Sequence, residues 1–240
     1  DLHLMWGLIG WVSALIMAVS FQVIPMFHVT PNFPTWLRRY WPTGLFLSLV
    51  VVTLGVMFGW TSLQQLGSFL ISIGLLVYAL STLQILAQRK RKVNDATVNF
   101  WRLAMVSLIS SIVIFNMAQW SELTSKNQLQ MLAILVFIFG YIMSVILGML
   151  VKIVPFLAYL NLQQSALNSV QAMINLPSIF EIQAPKLSQR LFHTYCLLMP
   201  CLVFVPWFQS ISVCLAIILA LVFSQLIYLE FNTWFSYKYH

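Results

Sequence analysis

Residues 131–151 read MLAILVFIFGYIMSVILGMLV, an apolar run without a single charge. A helix rising about 1.5 Å per residue needs about 20 such residues to cross a hydrocarbon layer of roughly 30 Å. No water reaches that layer, so the run must satisfy its own backbone hydrogen bonds, which a helix does. A membrane β-strand would alternate polar and apolar residues over about ten positions. This stretch does not alternate.

Working outward, the same reading applies along most of the chain. Apolar segments fall at about 4–27, 43–63, 67–88, 99–120, 129–159, 190–208 and 210–232, about seven spans in all. The 240 residues are 61% hydrophobic and only 7% charged. Soluble domains carry roughly a quarter charged residues, so too little charge is present to clothe a water-facing surface. The expectation is an all-α, polytopic transmembrane helix bundle forming one domain over 1–240, with the lipid bilayer as its principal partner. Trp36, Tyr40, Trp41, Trp60, Trp101, Trp120, Tyr159, Trp207 and Trp234 stand near segment ends, where amphipathic rings favour headgroup depth.

Charge placement orients the bundle. Arg38, Arg39, Arg89, Lys90, Arg91, Lys92, Lys186, Arg190 and Lys238 fall in alternate connections or the tail, and Arg102 and Lys152 sit at helix ends on that same side. Lys126 stands opposite, near Glu122. Basic residues mark the cytoplasmic face, which predicts an N-out, C-in protein of a bacterial inner membrane. The formal charge of +7 is thereby explained by topology, and no nucleic-acid partner is expected.

The long connection from about 160 to 189 places Ala166, Leu167, Val170, Met173 and Ile174 on one helical face and Gln163, Gln164, Asn168, Gln171 and Asn175 on the other. That pattern predicts an interfacial amphipathic helix over about 163–175. Cys196, Cys201 and Cys214 lie in apolar surroundings without a CxxC spacing, as buried thiols do. The chain opens Asp1-Leu2-His3 without a basic leader, so helices upstream in the same protein are expected.

Several patterns bear on function. His3, Gly7, Gly10, Ala14 and Met17 recur at helical steps of three and four. Small residues let a second helix or a flat macrocycle approach the backbone, and a histidine at the end of such a stripe suits an axial haem ligand. An interfacial histidine bonded to water or headgroups fits equally. Gly140, Ser144, Gly148 and Lys152 are spaced by four, a helix-packing face ending in a lysine. Lys152 either snorkels to headgroups or holds an anion such as a haem propionate.

His193 and Cys196 share a helix face as a candidate metal pair that lacks a third ligand, and Met26 with His28 is a comparable pair. Asn116, Gln119, Gln225 and Glu230 read as interhelical hydrogen-bonding groups. No paired mid-membrane carboxylates, phosphate loop or Ser-His-Asp grouping appears, so no catalytic residues are assigned.

The stretch His3-Leu-Met-Trp-Gly7-Leu-Ile-Gly10-Trp11, with Ser20-Phe21-Gln22-Val23-Ile24-Pro25-Met26-Phe27, resembles uncharacterised permease-like bacterial membrane proteins. Gly148-Met-Leu-Val-Lys152-Ile-Val-Pro155-Phe156-Leu157 and Pro177-Ser-Ile-Phe-Glu181-Ile182 fit the same resemblance. Those proteins are distantly similar to the haem- and copper-containing NnrS family, and through it to subunit I of the haem–copper oxidases. The resemblance implies a protein of about twelve helices ending in these seven, with His3 as a haem ligand. The fifth segment holds no histidine, so the oxidases' copper ligands have no counterpart. The sequence therefore supports a haem-associated (or copper-associated) membrane protein of respiratory or nitrogen-oxide metabolism. A small-solute transporter and a structural subunit packed against other membrane subunits are the alternatives.

Overall fold

The computed structural model describes residues 2–90, 95–119, 123–166 and 185–207, with isolated positions from 213 to 228. Among the described residues every regular element is helical. Among the described residues, five helices are long and apolar enough to cross a membrane: α1 (Leu2–His28), α2 (Thr35–Met57), α3 (Thr61–Ala87), α4 (Ala96–Gln119) and the span Lys126–Gln164 within α5. The element α5 consists of Leu123–Leu135, Val136–Met143 and Ser144–Ala166 in succession. The distribution of side chains is that of a lipid-solvated protein. Phe46, Leu47, Phe69, Leu80, Val106 and Met117 are exposed, while Ser13, Ser20, Thr82, Ser111 and Ser144 are buried. Lipid favours apolar atoms outside and leaves hydroxyls to find partners inside. The chain is an integral membrane protein of several spans.

Two elements start earlier than the apolar runs suggest. The helix α2 begins at Thr35 directly after Pro34 and runs through Pro42, so Arg38 and Arg39 belong to its first turns. Pro42 has no N–H to return to the carbonyl four residues before it, and its exposed position leaves that carbonyl to headgroups or water. The helix α3 begins at Thr61 because the chain reverses within 58–60. There Gly59 takes φ +70°, a region glycine enters without steric cost, and the Trp60 N–H donates to the Gly55 carbonyl at 2.8 Å.

The sixth expected span is helical over its described part. Pro185–Leu198 forms a helix, α6, followed by a 3₁₀ turn at Met199–Phe204. Ser188, Leu191 and Tyr195 form its buried stripe, and Lys186, Arg190 and His193 are exposed. Apart from isolated positions, the seventh expected span lies outside the described residues, as does the expected interfacial helix beyond Ala166.

The chain divides into two compact units, 1–93 with 102–142 and 94–101 with 143–240. In the first, α2 and α3 form an antiparallel hairpin held at glycines. A Cβ on Gly67 would lie 2.9 Å from the Val52 backbone nitrogen, and one on Gly74 would enter the Trp41 ring. In the second, Phe100 packs edge-on against Phe192 at 5.1 Å and obliquely on Tyr195 at 5.8 Å.

Candidate functional site

Two helices of the first unit carry π-helical segments, Trp6–Ser13 in α1 and Val136–Met143 in α5, the latter belonging to this unit as far as residue 142. A π turn bonds i to i+5 and takes in an extra residue, an arrangement frequent at functional positions. The hydroxyl of Ser13 follows this pitch and donates to the Leu8 carbonyl at 2.7 Å. In α1 the buried face then runs through Ser13, Met17, Ser20, Ile24 and His28.

That face meets polar groups from three other helices. The Tyr78 hydroxyl donates to Ser20 Oγ at 2.9 Å, and Ser20 donates to the Met17 carbonyl at 2.7 Å. Trp41 Nε1 donates to Met17 Sδ at 2.8 Å. One turn along α3, Thr82 returns its hydroxyl to the Tyr78 carbonyl at 2.8 Å. Tyr141, in the second π segment, is fully buried with its hydroxyl near the side chains of Ser13 and Tyr78. No hydrogen bond of full geometry closes on that Tyr141 oxygen. Phe21 and Phe137 pack edge-on against Tyr78 and Tyr141 at 6.2 and 5.3 Å. The result is a cluster of neutral hydroxyls within an apolar shell, touching both π segments.

The residues singled out from the sequence are placed as follows. His3 and Gly7 are exposed, and a Cβ on Gly7 would meet nothing within 4 Å. Gly10 abuts Trp6 and Leu49, and Met17 is 2% exposed inside the cluster. The stripe is therefore split, because the π segment advances the helix phase between Gly7 and Met17. His28 is buried and Met26 exposed.

Gly140 lies against Ser107 and Gly148 against Phe100, each so close that an added Cβ would clash. Ser144 is buried beside the Tyr195 hydroxyl. Lys152 Nζ donates to Asp95 Oδ2 at 2.7 Å, and Asp95 Oδ1 accepts the Thr97 N–H at 3.0 Å, capping α4. His193 Nδ1 lies 2.6 Å from the Gln189 carbonyl, with Cys196 half-buried on the same helix. Among the described residues no three His, Cys, Asp or Glu side chains gather as a metal site would need. Asn116 bonds the Ile112 carbonyl at 2.8 Å.

Sequence reasoning passed over Ser13, Ser20, Tyr78 and Tyr141. Their signal was an isolated hydroxyl in an apolar run, which in lipid turns toward a partner. No family model matches this chain, and no curated protein or solved structure matches it significantly.

Proposed function

We propose that this integral membrane protein is a permease-type transporter whose working site is the hydroxyl cluster of Ser13, Ser20, Tyr78 and Tyr141. One observation carries this reading: two spans each abandon regular α-helix, and both irregular segments contribute a side chain to the same buried cluster. Irregular backbone at membrane depth is tolerated where protein buries it or where it lines a polar path. A π segment also supplies a place at which a helix changes register with little loss of backbone bonding.

The chemistry points to a small neutral polar solute. Hydroxyls donate and accept in turn and replace the water stripped from such a solute. The cluster contains no carboxylate or ammonium to bind an ion or couple to a proton. Orientation follows the basic residues, with the Arg38 and Arg89 ends cytoplasmic and an inner membrane as the site of action.

The test is uptake of glycerol, urea and short polyols by proteoliposomes containing the purified full chain. Tyr141→Phe and Ser13→Ala should each lower uptake by about ten-fold, the scale of one buried hydrogen bond. Undiminished uptake in both folded variants, or no uptake of any such solute by the wild type, would remove the proposal.

A second reading, haem association, is favoured by the outward-facing His3 and the open space over Gly7. A macrocycle, or an upstream helix of the same protein, would fit on that face. A reduced-minus-oxidised spectrum of the purified protein decides it: a Soret and α band lost in His3→Ala supports haem, and a blank spectrum excludes it.

A further inference from the structure

At the corner between α1 and α2 the chain builds a pocket distinct from the hydroxyl cluster. The helix α1 ends at His28, and Val29 turns the chain with φ 52°. Phe33, 2% exposed, stacks edge-on against Phe21 at 5.0 Å and pins the connection to α1. That leaves Thr30 and Asn32 along one wall, Gln22 and Pro25 on another, and Arg38 from the first turn of α2 on a third. The depression holds about 730 Å³ and is open to the outside over most of its extent.

Its chemistry is that of an anion site. Arg38 offers up to five N–H donors, Gln22 and Asn32 offer amide donors, and Thr30 offers a hydroxyl. No carboxylate lines the pocket, and among the described residues the only ion pair is Lys152–Asp95. Among the described residues no carboxylate accompanies Arg38. The Lys90 N–H donates to the Val29 carbonyl at 3.2 Å, which draws the Arg89–Lys90 end of α3 to the same corner and raises its positive potential.

The depth of the pocket identifies the source of the anion. Trp36 and Tyr40 flank Arg38 on the same helical turns and are 53% and 63% exposed, as rings at headgroup level are. Met26 also lines the pocket, and Val19 and Leu15 continue from it as exposed apolar surface along α1, a bed for acyl chains.

We infer that this corner binds the phosphate of an anionic glycerophospholipid, with Arg38 as the principal contact and Gln22, Thr30 and Asn32 as supporting donors. Guanidinium and phosphate pair in bidentate fashion, and a lipid so held would tie the α1–α2 connection to the headgroup layer.

The experiment is thermal unfolding of the full chain in nanodiscs of phosphatidylcholine, with and without phosphatidylglycerol. Phosphatidylglycerol should raise the wild-type Tm. Arg38→Gln should lose more than half of that rise while unfolding at the wild-type temperature in phosphatidylcholine alone. A Gln22→Ala, Asn32→Ala double variant, which keeps Arg38, should lose a smaller part and serves if Arg38→Gln does not fold. Inorganic phosphate added to phosphatidylcholine discs should leave the Tm unchanged. The inference is overturned by any of three results: no rise in the wild type, a full rise in both variants, or a rise reproduced by inorganic phosphate.

Discussion

The Tyr78 hydroxyl reaches across 2.9 Å to Ser20 Oγ, joining α3 to α1 where neither residue meets solvent or lipid. Helices already dissolved in lipid gain no hydrophobic energy by associating, so contacts of this kind, with close packing, hold them together.

Removing either half of this bond should cost stability modestly. Tyr78→Phe and Ser20→Ala are each expected to lower the unfolding free energy by about 1 kcal/mol, because hydrogen bonds within membranes are individually weak. Unfolding in mixed micelles checks this, and the double variant should cost less than the sum of the two. Strict additivity would mean that the two groups are not coupled.

The α2–α3 hairpin rests on glycines that admit no side chain. Gly67→Ala and Gly74→Ala should each destabilise by about 1–3 kcal/mol, the usual cost of overpacking. Gly7→Ala, which points into open space, should be neutral or stabilising by up to about 1 kcal/mol through helix propensity. A large loss at Gly7 would show that something covers that face in the working protein.

Asp95 caps α4 through Thr97 and pairs with Lys152. Both members of the ion pair are about a third exposed (32% and 28%), so screening holds the charge contribution low and the cap matters more. Asp95→Ala should cost about 1–2 kcal/mol in thermal unfolding, and Asp95→Asn, which retains a capping oxygen, distinctly less. Equal losses would assign the effect to the lost charge and not to the cap.

Val29 holds φ 52° although it is β-branched. Left-handed backbone costs such a residue about 1–2 kcal/mol relative to glycine. Val29→Gly should therefore raise stability by about 1 kcal/mol, after allowing for the looser unfolded chain. Destabilisation would show that the Val29 side chain contributes more by packing than its backbone costs.

The apolar runs made the first five spans legible because lipid dictates both their length and their helical form. Their ends were harder to read. Arg38, Arg39 and Pro42 look like a connection, yet they fill the opening turns of α2, where a proline and exposed charges are both tolerated at the headgroup layer. The reversal at Gly59 occupies so few residues that apolar side chains run through it without a break.

The face of α1 was misplaced for a different reason. Spacing arguments assume 3.6 residues per turn throughout, and the π segment Trp6–Ser13 breaks that phase, turning His3 and Gly7 outward while Met17 faces in. Nothing in the residue types of Trp6–Ser13 announces a π segment. The hydroxyls of Ser20 and Tyr78 were visible as lone polar groups, but their pairing across 58 positions is a tertiary fact.

All of this depends on α3 passing from one aqueous side to the other. With Cys196, Cys201 and Cys214 replaced by serine, Ser62→Cys and Lys90→Cys should be tested in sealed vesicles with a membrane-impermeant maleimide. Ser62→Cys should label from the outer face, and Lys90→Cys only after permeabilisation. Labelling of both positions from the same face of intact vesicles would contradict the membrane-spanning arrangement.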